Sequence, residues 1–117
     1  MSKKVLIVDD SKFQRGQLSK ALIASGYEVS EAGNGVEALQ KIKAENFNLI
    51  VTDLLMPEMS GIELLKELST NNNKTPIIVL TADIQEPVKQ ECLDLGAKAF
   101  LNKPFNSEIL LSTLSKF

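Results

Sequence analysis

The chain contains no histidine among its 117 residues. That absence removes Ser-His-Asp and Cys-His catalysis, histidine-ligated metal sites and any phosphohistidine donor formed within the chain. If phosphohistidine chemistry is involved, the histidine belongs to a partner. Cysteine is nearly absent as well. Cys92 stands alone, cannot close an internal disulfide and suits a reducing compartment. Its helical surroundings mark it as a small packing residue rather than a nucleophile. Long hydrophobic runs are missing, the longest spanning about four to five aliphatic residues, so no transmembrane helix is predicted. The start, Met1-Ser2-Lys3-Lys4 ahead of Val5-Leu6-Ile7-Val8 and two aspartates, is too short and too soon charged for a signal peptide. A cytoplasmic protein without membrane insertion is the expectation. A basic excess is also lacking: the net charge of −2 argues against a nucleic-acid surface.

What is present fits one globular domain over residues 1–117. Hydrophobic content of 44% and charged content of 24% are ordinary, and the length suffices for a core. Val5-Leu6-Ile7-Val8 reads as a strand covered on both faces. Asp9-Asp10-Ser11 follows, then a helix from about Lys12 to Ser25, with Asp10 or Ser11 as its cap and Gly26 placed to end it. Tyr27 to Glu31 alternates apolar and polar, as in an edge strand. After the Gly33-Asn34-Gly35 turn, Val36, Leu39 and Ile42 recur at helical spacing to about Glu45. Asn48-Leu49-Ile50-Val51-Thr52-Asp53 is a buried strand ending in a carboxylate, and Pro57 closes off regular structure beyond it. Ile62, Leu65 and Leu68 mark a third helix, which dissolves in Asn71-Asn72-Asn73-Lys74. Pro76 to Leu80 is another apolar strand, ending at Thr81-Ala82-Asp83. Val88, Cys92 and Leu95 mark a fourth helix, with Pro87 tolerable only in its first turn and Gly96 just beyond its end. Ala97 to Leu101 interleaves charge and reads as a second edge strand. Asn102 to Phe105 is a loop, and a last helix runs from about Ser107 to Phe117. Five strand–helix units predict an α/β fold: a doubly wound five-stranded parallel sheet with helices on both faces. With strands two and five as edges, the order 2-1-3-4-5 satisfies the pattern.

In such a sheet, ligands bind beyond the carboxyl ends of the strands. Asp9 and Asp10 after the first strand, Asp53 at the end of the third, Thr81 ending the fourth and Lys103 after the fifth would all meet on that edge. Each has a plain reading alone: a solvated strand end with a helix cap, a capping threonine, a surface lysine. Their convergence points further. Three close carboxylates repel unless a cation intervenes, and Mg²⁺ suits an all-oxygen site that also takes a phosphate. An Asp53 oxygen could then attack phosphorus in line, with Lys103 and Thr81 helping to neutralise the equatorial oxygens.

With the Asp9-Asp10 pair, the run Asp53-Leu54-Leu55-Met56-Pro57-Glu58-Met59-Ser60-Gly61, Thr81-Ala82 and Lys103-Pro104-Phe105, the chain resembles two-component response-regulator receiver domains, the CheY-like class. The resemblance covers essentially the whole sequence. The edge-strand pattern agrees with the strand order already known for that class. The resemblance implies that Asp53 takes a phosphoryl group from the phosphohistidine of a sensor histidine kinase or histidine phosphotransfer protein. It implies Mg²⁺ held by Asp10 directly, Asp9 largely through water, Asp53 and the Leu55 carbonyl. It further implies Lys103 and the Leu54 and Ala82 backbone N–H groups on the phosphate, and a cis bond from Lys103 to Pro104. Thr81 resembles the switch hydroxyl and Phe100 the switch aromatic, for which a plain strand aromatic is the alternative.

Output would leave through the fourth helix, fifth strand and fifth helix, around Lys89, Gln90, Lys98 and Phe100, toward a protein effector. The protein itself would be a stand-alone receiver, a monomer or weak phosphorylation-dependent dimer. It would catalyse its own phosphorylation and dephosphorylation without being a turnover enzyme. Leu55 and Asp83 stand at the two positions held to tune phosphoryl lifetime, and predict slow to moderate self-dephosphorylation. Three rivals differ in class. A haloacid-dehalogenase-like phosphatase would need a second aspartate where Leu55 stands, and room for a cap domain. A flavodoxin-like carrier would meet an acidic loop after the first strand, hostile to a flavin phosphate. A receiver-shaped binding module independent of phosphorylation keeps the same fold, and Mg²⁺-dependent phosphorylation separates it from the main reading.

Overall fold

Aliphatic blocks too short for helices but rich in β-branched residues form the three inner strands, as their composition dictates. A computed structural model of the protein describes residues 3–117; of the predicted domain over 1–117, Met1 and Ser2 lie outside the described residues. The strands are β1 (Lys4–Val8), β2 (Glu28–Ala32), β3 (Leu49–Thr52), β4 (Ile77–Thr81) and β5 (Ala99–Asn102). They form one parallel sheet in the order β2-β1-β3-β4-β5. Every residue of β3 and β4 is buried, whereas β2 and β5 are only partly covered, so the predicted assignment of inner and edge strands holds.

The helices are α1 (Lys12–Ala24), α2 (Gly35–Ala44), α3 (Gly61–Thr70), α4 (Glu86–Asp94) and α5 (Ser107–Leu114). Strand alternation divides the core between two faces. Leu6, Val8 and Ile50 meet Ala38 of α2, Leu64, Leu65 and Leu68 of α3 and Cys92 of α4. Val5, Ile7, Leu49 and Val51 meet Leu18 and Leu22 of α1 with Leu110 and Leu114 of α5. Each such fully buried aliphatic side chain contributes about 1.5–3 kcal/mol relative to an exposed one. Cys92 belongs to this packing, as its surroundings suggested: it is fully buried. Burial, reinforced by the charges of Glu91 and Asp83, pushes its thiol up to about 11. No helix among the described residues is long and apolar enough to cross a membrane.

Local chemistry explains most boundaries. Ser11, not Asp10, caps α1, accepting from the Gln14 N–H. Gly26 and Gly96 take positive φ where their helices turn back into strands, a conformation that favours glycine. Asn34 caps α2, and Ser60 with Glu63 forms a reciprocal capping box on α3. Helix α4 differs, because Gln85 provides no side-chain cap and Pro87 sits in the first turn. Four expectations shift. The edge strands lie one to two residues later than their alternation suggested, since Ala97 and Lys98 spend their N–H groups on Cys92 and Ile77 carbonyls in the approach to β5. Asp53 lies one residue past β3, although its N–H still donates to the Val8 carbonyl at 2.9 Å. Val36 is exposed, and the buried face of α2 runs through Ala38 instead. The last helix stops at Leu114, three residues before Phe117.

Candidate functional site

Register brings the polar strand ends together. Val8 pairs with Thr52, so Asp9 and Asp53, each the next residue, lie side by side. Thr81 pairs with Asn102, and the Lys103 N–H donates to the Thr81 carbonyl at 2.8 Å, which carries Lys103 to the same edge. Its ammonium then reaches across the sheet, donating to Asp9 Oδ2 at 2.6 Å and Asp53 Oδ2 at 2.8 Å. Both carboxylates are nearly enclosed, their side chains 3% and 11% exposed. Asp10 points out to solvent.

The cation that three neighbouring carboxylates require is thus partly supplied by the chain itself. Burial alone would pull the Lys103 ammonium below its ordinary value of 10.5, but its hydrogen bonds to Asp53 and Asp9 and their charges outweigh this and hold it above. The lysine therefore stays charged throughout the neutral range, and its stabilising contribution is lost only as pH rises through that higher folded value. One oxygen each from Asp9, Asp10 and Asp53 lie within 4.8 Å of one another. This all-oxygen set, graded from buried to exposed, fits a hard divalent cation such as Mg²⁺ that keeps several waters.

The remaining predicted residues are distributed as follows. Leu54 is buried, and its N–H donates to Asp53 Oδ1 at 2.6 Å. The Leu55 side chain, 68% exposed, offers no polar group to the cluster. Ala82 is exposed on the approach to Lys103, lining with it a cavity of about 630 Å³. Thr81 is fully buried and is not joined to the carboxylates; its hydroxyl accepts from the Asp83 N–H at 3.2 Å. Phe100 is likewise apart from the cluster, half-buried on β5 against the core. The bond from Lys103 to Pro104 is cis, as the resemblance implied.

Sequence reasoning missed two residues of the first turn of α1. Arg15 donates to the Asp9 carbonyl at 2.6 Å and to Glu31 at 3.0 Å, and Ser19 secures the other Glu31 oxygen at 2.9 Å. This chain of bonds ties the loop carrying Asp9 and Asp10 to α1 and β2. Gln14 accepts a hydrogen bond from the Lys103 ammonium. Their only linear signal is that they follow the aspartate pair by about one helical turn, which places both over the site.

An acidic cluster with a lysine seated between its carboxylates, at the switch edge of a 2-1-3-4-5 sheet, defines the CheY-like class of α/β signalling domains. The chain belongs to the response regulator receiver domain family, which matches residues 5–115. The chemotaxis protein CheY of Thermotoga maritima is 40% identical over 117 residues, covering 99% of this chain and 98% of the relative. Among solved structures, Vibrio cholerae CheY4 is similar with a TM-score of 0.92 at 42% identity, covering 99% and 98% of the two chains. The CheY of a Borrelia burgdorferi CheX–CheY–BeF₃–Mg²⁺ complex is similar with a TM-score of 0.93 at 32% identity, covering 97% and 87%. Homology to CheY gives the chain the phosphoacceptor function of two-component signalling.

Proposed function

We propose that Asp53 is the phosphoacceptor, taking its phosphoryl group from the phosphohistidine of a sensor histidine kinase or histidine phosphotransfer protein. The observation that carries this reading is the Lys103 ammonium bridging Asp9 and Asp53. It puts a fixed positive charge where phosphoryl negative charge would develop, which is how phosphoryl transfer is accelerated. The bond from phosphorus to the donor's imidazole nitrogen breaks as a bond from phosphorus to an Asp53 oxygen forms, and the donor leaves as histidine. Asp9, Asp10, Asp53 and the Leu55 carbonyl are the groups that would hold Mg²⁺, which when bound supplies further neutralisation of the phosphoryl oxygens. The Leu54 and Ala82 N–H groups would donate to the phosphoryl oxygens, Leu54 from its present bond to Asp53 Oδ1.

The Thr81 hydroxyl accepts from Asp83 and keeps its own proton free to donate to the phosphoryl group. Moving it would disturb the loop into α4, a helix with no side-chain cap, and with it Phe100 on β5. We read this as the route to an α4–β5–α5 surface that binds a protein effector in the cytoplasm. On this reading the chain is no turnover enzyme, binds no nucleic acid and is a monomer or weak phosphorylation-dependent dimer.

The test is intact mass after incubation with acetyl phosphate and Mg²⁺, beside Asp53→Asn. One phosphoryl adduct on wild type, absent from the variant and abolished by EDTA, is expected. No adduct, and no response to beryllofluoride, would instead favour a phosphorylation-independent binding module. Leu55 cannot position an attacking water and the half-buried Asp83 adds negative charge nearby, so the adduct is expected to decay slowly to moderately. A half-life of seconds or less without a phosphatase would contradict that.

A further inference from the structure

The Lys103 ammonium carries three N–H donors, and three side-chain acceptors surround it: Asp9 Oδ2, Asp53 Oδ2 and Gln14 Oε1. Two belong to the acidic cluster. The third comes from an exposed residue on the first turn of α1, 89 residues away in sequence. Among the described residues the Gln14 side chain makes no other hydrogen bond, its backbone N–H alone serving the helix by donating to the Ser11 cap. It also lines the cavity shared with Phe13, Ala82, Lys103 and Phe105.

We propose that Gln14 is a positioning residue for phosphoryl transfer, anchoring the Lys103 ammonium so that one N–H stays aimed at Asp53. The inference rests on Asp53 being the acceptor. As an Asp53 oxygen bonds to phosphorus, the carboxylate loses its charge to the phosphoryl oxygens. An ammonium held only by Asp9 and Asp53 would be drawn toward Asp9, the acceptor that keeps its full negative charge. Gln14 supplies a neutral, fixed anchor on the other flank. With Asp9 and Gln14 unchanged through the reaction, only the third hydrogen bond has to pass from carboxylate to phosphoryl oxygen. That is preorganisation of a charged donor, and it needs no repositioning of the lysine during the transfer.

The experiment compares wild type with Gln14→Met, which keeps an unbranched side chain of similar length on an exposed helical position but has no carbonyl. Stability should be nearly unchanged. In the unphosphorylated protein, the Lys103 ammonium protons, followed by NMR, are expected to exchange with solvent measurably faster in the variant than in wild type, because one of three acceptors is gone while Asp9 and Asp53 still hold the group. The phosphorylation rate with acetyl phosphate and Mg²⁺ is expected to fall roughly 3- to 10-fold, the scale of one charge-assisted hydrogen bond at a solvent-accessible site. Divalent affinity should stay the same. Adding the change to Lys103→Met should cost nothing further in rate. An unchanged NMR signal in Gln14→Met would overturn the anchor, and an unchanged rate with a changed signal would overturn its role in transfer. An equal loss in the Lys103→Met background would overturn the route through the lysine. Wild type that takes no phosphoryl group at all would overturn the acceptor reading and this role together, while the NMR comparison would still decide whether the anchor exists.

Discussion

Lys103→Met is expected to lose phosphorylation and gain dependence on a divalent cation for its stability. The two carboxylates that share the ammonium are nearly enclosed, at 3% and 11% side-chain exposure. Taking away the cation leaves like charges facing each other with little water to screen them. Removing one partner of a fully buried pair costs 3–5 kcal/mol, and the opening toward Asp10 reduces this, so about 2–4 kcal/mol is expected in EDTA. In excess Mg²⁺ most of that loss should return, because a cation bound to the folded state alone adds about 2.7 kcal/mol at 100 times its Kd. The ammonium and the metal compete for the same oxygens, so the variant should bind Mg²⁺ more tightly than wild type. Phosphorylation should nonetheless fall by about 10²–10³-fold, since the fixed charge at the phosphoryl oxygens is gone. Urea denaturation with EDTA and with Mg²⁺ at matched ionic strength, beside adduct formation by mass, separates the effects. A stability loss that Mg²⁺ does not touch would make the lysine a structural prop, and an unchanged rate would remove it from the chemistry.

The parts of this site that were legible in the sequence are those whose chemistry is tied to strand ends. Asp53 closes an apolar run before Pro57, and Asp9-Asp10 closes another, so a parallel sheet alone was enough to bring them together. Lys103 needed the fifth strand as well, and the one- to two-residue shift of that edge strand did not matter because its register carries the loop to the same rim. Gln14 and Arg15 were not legible. Long polar residues on a surface helix read as solvent-facing, and nothing local announces that a lysine 89 residues on will reach one of them. Val36 misled for the related reason that helical spacing admits more than one face, and small Ala38 filled the close approach to the sheet. Thr81 shows the limit from the other direction. Its position was right, but the bond it makes to Asp83 belongs to a loop whose path no periodicity describes.

Gly61 was visible only as a letter in the run that follows Asp53, and the structure gives it a steric reason. A Cβ there would stand 2.1 Å from the Asp53 carbonyl oxygen and 2.8 Å from the Leu54 Cα. Both obstacles are backbone, so no rotamer change relieves them. The same residue donates its N–H to the Leu54 carbonyl at 2.9 Å, drawing the capped start of α3 directly onto the segment that carries the acceptor. Two effects oppose each other in Gly61→Ala. Helix propensity favours alanine by about 1 kcal/mol. Overpacking costs about 1–3 kcal/mol when side chains can yield and more when they cannot. Sterics should win, with a net loss of about 2–4 kcal/mol and a Tm lower by roughly 10 °C or more. Because the displaced atoms are the acceptor's own backbone, phosphorylation of the folded fraction should slow by about 10²-fold, the cost of a misplacement near 1 Å. Gly16→Ala on α1 is the matched control: nothing lies within 4 Å of its added Cβ, so propensity acts unopposed and the protein should gain about 0.5–1 kcal/mol. Thermal melts and adduct rates of the two variants, measured side by side, check both signs. A Gly61→Ala protein as stable as wild type would mean that α3 can retreat from the acceptor without cost, and the close seating of its first turn would then have no part in holding Asp53 in place.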